Sequence, residues 1–287
     1  MKKRSKVINV QPLLYIAILP VIVLLVYIYK KDAHKEPARI LAKIFFLGVL
    51  TIIPALVVEI ALNKICPTEN VTNIIRLFVN VLIGVALVEE FFKWLVIKLF
   101  VYKTEHFDET FDAIVYAVFA SLGFACLENI LYVIINGFGT GVIRAITAVP
   151  LHACDGVIMG YFIGKAKLCA KDGNTSNEKL NLVLSLILPT LTHAIYDFLL
   201  FTSRVEFIIV WFIFIIAIYI ICFILIKNSK KKNESVVKEV NIDIPVSMVQ
   251  ENNINNQNNK VQGIYCRYCG YQINNSNFCP HCGKKNE

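Results

Sequence analysis

Apolar runs of bilayer-spanning length recur along almost the whole chain and restrict what it can become. They fall at roughly 12–29, 41–62, 74–101, 112–136, 141–164, 180–201 and 205–227. Each is near the ~20 residues that a helix needs to cross the hydrocarbon core. The expected architecture is therefore an all-α polytopic membrane protein with about seven transmembrane helices. Composition agrees: 56% of the 287 residues are hydrophobic and 17% are charged, a balance too apolar for a soluble domain. The basic tip Lys2-Lys3-Arg4-Ser5-Lys6 could open a signal peptide. The run behind it exceeds the ~7–15 residue core of such peptides and no A-x-A-like site follows, so it reads as a retained first span.

Orientation follows from where the lysines gather. Lys30, Lys31, Lys35, Arg39 and Lys43 mark the loop after the first span as cytoplasmic. Lys165, Lys167, Lys171 and Lys179 do the same after the fifth, and Lys227, Lys230, Lys231 and Lys232 after the seventh. Seven spans with a cytoplasmic C-terminus put the N-terminus outside, against the pull of the basic tip. The net charge of +8 is accounted for by these loops, and no nucleic-acid partner is indicated.

Charges inside the apolar runs carry the functional reading. The third run contains Glu89, Glu90 and Lys93, and a central charge in hydrocarbon costs roughly 2.5–3.5 kcal/mol even on the mildest scale. Adjacent helical positions point about 100° apart, so the two glutamates are expected on different faces. Lys93, at i+4 and i+3, can pair with either. The expectation is one carboxylate neutralised by Lys93 and the other facing a protein-lined cavity. The fourth run carries Glu128-Asn129. The fifth carries His152, with Asp155 one turn on and a Gly156, Gly160, Gly164 seam of the kind that lets helices approach closely. The sixth carries His193 and Asp197, which share a face at i, i+4, so that Asp197 can orient the imidazole. Any one of these could be a buried polar staple. Together they offer carboxylates and imidazoles from four helices, which is how bundle-core metal and acid/base sites are built.

Taken in order, Glu89-Glu90-x-x-Lys93, Phe124-x-x-x-Glu128-Asn129, His152 with its glycine seam and His193-x-x-x-Asp197 resemble the PrsW family of bacterial intramembrane proteases. The segment Lys31-Asp32-Ala33-His34-Lys35-Glu36-Pro37 is also similar to that family's first cytoplasmic loop. The likeness covers roughly residues 12–227, with a more distant one to the CaaX prenyl endopeptidase superfamily. It implies a multi-pass peptidase of the cell membrane that cuts membrane-anchored protein substrates, such as an anti-sigma factor, in regulated proteolysis. Carried over by position, Glu89 would be the base that activates water and Glu90 its supporting carboxylate. Glu128 and His193 would complete the water- or metal-holding set, with His152 an additional member. Asp197 would orient His193, and Asn129 would donate to the developing oxyanion. Glu/His ligands suit zinc, yet no HExxH is present, so a catalytic Zn2+ and a carboxylate-only mechanism both stay open. Two other classes compete: an ion- or proton-coupled transporter, and a non-catalytic sensor or scaffold.

Past Lys232 the composition changes. Residues 233–262 are expected to be a flexible polar linker, leaving 1–232 as the membrane domain. In the last stretch Cys266-x-x-Cys269 and Cys279-x-x-Cys282, each followed by glycine, have the spacing of a structural zinc ribbon over residues 263–287. Four thiolates leave no open position on such a zinc. The ribbon is expected in the cytoplasm, where it offers a docking module for a protein partner.

Overall fold

The computed structural model describes residues 10–69, 71–104, 106–107, 109–202, 204–242, 264–265 and 272–273. Contacts divide the chain into two compact units, Met1–Val237 and Lys238–Glu287. Among the described residues the helices are α1 (Val10–Lys31), α2 (Ala38–Leu62), α3 (Ile74–Val81), α4 (Leu87–Phe100), α5 (Thr110–Asn136), α6 (Phe138–Ile146), α7 (Ala148–Lys171), α8 (Thr175–Phe201) and α9 (Val205–Ile242).

Six helical segments are long and apolar enough to cross a membrane: α1, α2, α5, the α6–α7 stretch Phe138–Lys171, α8, and Val205–Ser229 of α9. The third expected span is also helical throughout. α3 passes through a π turn at Leu82–Ala86 into α4 without a break, and its charges keep it outside those six. Two boundaries differ from the sequence expectation. The fifth span is two helices, because the backbone at Thr147 (φ −125°, ψ −74°) separates α6 from α7. α9 runs on to Ile242, past Lys232.

Helix ends follow local chemistry. The Asn73 side chain accepts from the Arg76 N–H at the start of α3, and Asn174 does the same for Asn177 at α8. Glu109 and Asp112 form a reciprocal capping box at the start of α5. Gly137, at φ +85°, stops α5 in a conformation that disfavours any side chain.

α5 is the axis of the bundle, buried at nearly every position from Thr110 to Ala125, as expected of a helix apolar all round and covered on all sides. Its neighbours come very close. A Cβ on Gly160 of α7 would overlap the Ala113 carbonyl and Ile114 Cα, and one on Gly156 would sit 2.8 Å from Val118 Cα. The glycine seam of α7 thus lies against α5, in agreement with its spacing. The outward faces of α9 expose Ile209, Phe212, Ile213, Ile216 and Phe223, side chains suited to lipid.

In the second unit, Ile264–Tyr265 pairs antiparallel with Gln272–Ile273, Ile264 opposite Ile273. Cys266, Cys269, Cys279 and Cys282, and with them the expected ribbon, lie outside the described residues.

Candidate active site

Five helices each bring polar side chains to one buried place. Glu89, Glu90 and Lys93 come from α4, just after the π turn. Such a turn holds one residue more than an α turn and rotates everything after it to a new face. Glu128 and Asn129 come from the last third of α5, Arg144 from α6, His152 from the second turn of α7, and His193 and Asp197 from the last third of α8.

At the centre is the Lys93 ammonium, fully buried. It donates to Glu90 Oε1 at 2.7 Å and to Glu89 Oε2 at 3.2 Å, and lies 3.2 Å from His152 Nδ1. The expectation that Lys93 neutralises only one glutamate is therefore corrected. The i+3 and i+4 positions flank the ammonium closely enough for both carboxylates to reach it. The two still differ in access: the Glu89 side chain is 8% exposed and that of Glu90 fully buried. Glu90 Oε2 is buried without a hydrogen-bond partner.

Both imidazoles are held at two corners. His152 Nε2 lies 2.9 Å from Glu128 Oε2. A carboxylate there requires Nε2–H as donor, which leaves the Nδ1 lone pair to accept from Lys93. The Ser121 hydroxyl donates to the His152 carbonyl at 2.6 Å, tying this turn of α7 to α5. His193 Nδ1 lies 2.9 Å from Glu90 Oε1, and its Nε2 lies 3.4 Å from Asp197 Oδ2 and 3.8 Å from Glu89 Oε2. The two rings meet edge to face, with centroids 5.2 Å apart.

Arg144 went unremarked in the sequence. Its Nη2 donates to Glu128 Oε2 at 2.7 Å, its Nε donates to Asn129 Oδ1 at 2.9 Å, and its guanidinium covers the Tyr132 ring at 4.1 Å. Asn129 in turn donates to the Ala17 carbonyl of α1 at 2.9 Å. The signal that could have found Arg144 is the one that found Glu128: an ionised side chain inside an apolar run. Asp155 is wholly buried, accepts from Thr192 at 2.5 Å, and leaves Oδ2 without a hydrogen-bond partner.

Every site residue expected in the membrane domain belongs to this network. One ligand-type atom from each of Glu89, Glu90, His152 and His193 lies within 4.8 Å of the others, a possible metal-binding group by composition and spacing. As arranged, however, Lys93 engages three of those four groups. With the ammonium in place the arrangement does not fit a metal ion.

Comparison with known proteins bears on the same stretch of chain. The model of the PrsW family of intramembrane metalloproteases matches residues 36–226. Protease PrsW of Oceanobacillus iheyensis is 42% identical over 183 residues, covering 64% of this chain and 80% of the relative. Protease PrsW of Bacillus subtilis is 42% identical over 184 residues with the same coverage. That of Clostridioides difficile is 31% identical over 214 residues, 73% of this chain and 85% of the relative. No solved structure matches the chain. The matched region contains all the helices that build the buried network, and the chain belongs to the PrsW family of intramembrane proteases.

Proposed function

We propose that this protein is an endopeptidase that hydrolyses peptide bonds of membrane-anchored protein substrates, with Glu89 activating the attacking water. The observation that carries the reading is the meeting of Glu89, Glu90, His152 and His193 around one buried point, inside a chain whose relatives are membrane proteases. Glu89 is the more accessible of the two glutamates, which suits it to touch water. As general base it takes a proton from the water whose oxygen bonds to the scissile carbonyl carbon. It returns that proton to the leaving nitrogen as the C–N bond breaks. Glu90, held by Lys93 and His193, keeps the ammonium and the imidazole in place.

His193 Nδ1 is held by Glu90, and its Nε2–H, only loosely drawn to Asp197 at 3.4 Å, turns to the developing oxyanion. Glu128 fixes the ring of His152, and Arg144 and Asn129 hold Glu128 in turn. Glu128, His152 and His193 all lie toward the helix ends opposite the lysine-rich loops, so the substrate is cut toward that side of the membrane. The four terminal cysteines hold a structural zinc whose ribbon binds a protein partner and regulates cleavage without taking part in it.

The test is reconstitution in proteoliposomes with a single-span reporter protein and a dye that reports proton flux. Cleavage of the reporter without flux supports the reading. Flux that depends on Glu128, with the reporter left intact, would replace it with a transporter.

A further inference from the structure

Buried carboxylates need a counter-charge, and in this site it is already supplied. The Lys93 ammonium has three N–H bonds, and three acceptors stand within 2.7–3.2 Å of it: Glu90 Oε1, Glu89 Oε2 and His152 Nδ1. Its side chain has no exposed surface, and the Phe124 ring lies 4.2 Å from the nitrogen. A lysine so enclosed and so fully partnered is a fixed part of the site.

Three of the four groups able to ligate a metal here are the same three acceptors. Zinc would draw their oxygens and nitrogen to ~2.0–2.2 Å, consuming the lone pairs that the ammonium now uses. It would also leave an ammonium beside a divalent cation in a water-poor interior, where like charges repel strongly and an unpartnered charge is costly. The two cations exclude one another.

We propose that the Lys93 ammonium is the resident cation of this site, holding the point on which Glu89, Glu90 and His152 converge, so that a divalent metal binds there only when that ammonium is removed. The inference deepens the hydrolytic reading and rests on it for the site's purpose. Hydrolysis then proceeds with a fixed organic cation doing the charge compensation, and the side chains of Glu89 and Glu90 stay where it places them.

The experiment is zinc content per full-length chain, wild type against Lys93→Met, each equilibrated with excess zinc and desalted. Comparing two full-length chains cancels whatever the terminal cysteines hold. The expected result is one more zinc per chain in Lys93→Met, lost again in Lys93→Met/His193→Ala. A folded Lys93→Met chain with the wild-type zinc content overturns the proposal. X-ray absorption at the zinc edge of the wild-type chain decides the matter if Lys93→Met does not fold. A shell of sulfur alone supports the proposal, and a nitrogen/oxygen shell that vanishes in His193→Ala overturns it. Extra zinc in Lys93→Met, alongside a wild-type chain that cuts no reporter, would sink the hydrolytic reading and uphold the resident cation.

Discussion

Glu128 Oε2 accepts from Arg144 and from His152 at once, so the guanidinium sets where the carboxylate stands and the carboxylate sets the imidazole. Hydrogen bonds to charged groups contribute about 1.5–3 kcal/mol, which corresponds to roughly tenfold to a hundredfold in rate. Arg144→Gln should therefore lower kcat by that order with little change in KM, and Arg144→Lys should recover part of the loss. Unchanged kcat in Arg144→Gln would remove Arg144 from the account. A charge or imidazole interrupting an apolar run singled out Glu89, Glu90, Glu128, His152, His193 and Asp197, although Arg144 carries the same signal and was passed over. The sequence was silent on how many partners each would find. The three-way bonding of Lys93 depends on α7 bringing His152 alongside α4, and no spacing within α4 encodes that.

The elements were legible by length and less so by their interruptions. A hydropathy pattern cannot register the π turn at Leu82–Ala86, because the residues there are as apolar as their neighbours. Nor does it mark the break at Thr147, where Arg144 of α6 turns inward to Glu128 and Asn129. The glycine seam was legible because its four-residue repeat admits close packing. Gly160→Ala should overpack α7 against α5 at a cost of ~1–3 kcal/mol, read as a lower midpoint of thermal unfolding; an unchanged midpoint would show that α5 can retreat freely. The link between α1 and α2 contains Asp32, a buried carboxyl. Burial pushes its carboxyl above the ordinary carboxylate range, only partly opposed by the Glu36 backbone N–H, the nearby Lys35 ammonium and the His34 backbone N–H. A raised carboxyl favours the folded state when protonated, so stability from this group is lost as pH rises through the folded value. Asp32→Asn should be more stable than wild type at neutral pH, and the gain should shrink as pH falls toward ~4. A gain independent of pH would contradict this origin.

For the whole molecule, the polytopic helical architecture and the family membership were both readable from the order of motifs along the chain. Each motif puts an ionisable group into an apolar run at a cost that partners must offset, and a shared site offsets all of them together. The terminal cysteines, at 266–282, lie in the sequence beyond residues 36–226 matched by the family. Removing residues 263–287 should leave the cleavage rate of a reporter intact and alter only what triggers cleavage. A catalytically dead truncation would make that terminal stretch part of the machinery. Hydrolysis by the buried carboxylate–imidazole cluster is tested by turnover of a membrane-tethered reporter by purified Glu89→Gln beside wild type. Loss of a general base costs ~10²–10⁴ in rate, so the variant should fall by that much while remaining folded. Cleavage by Glu89→Gln at the wild-type rate would mean that Glu89 is not the general base of a hydrolytic centre.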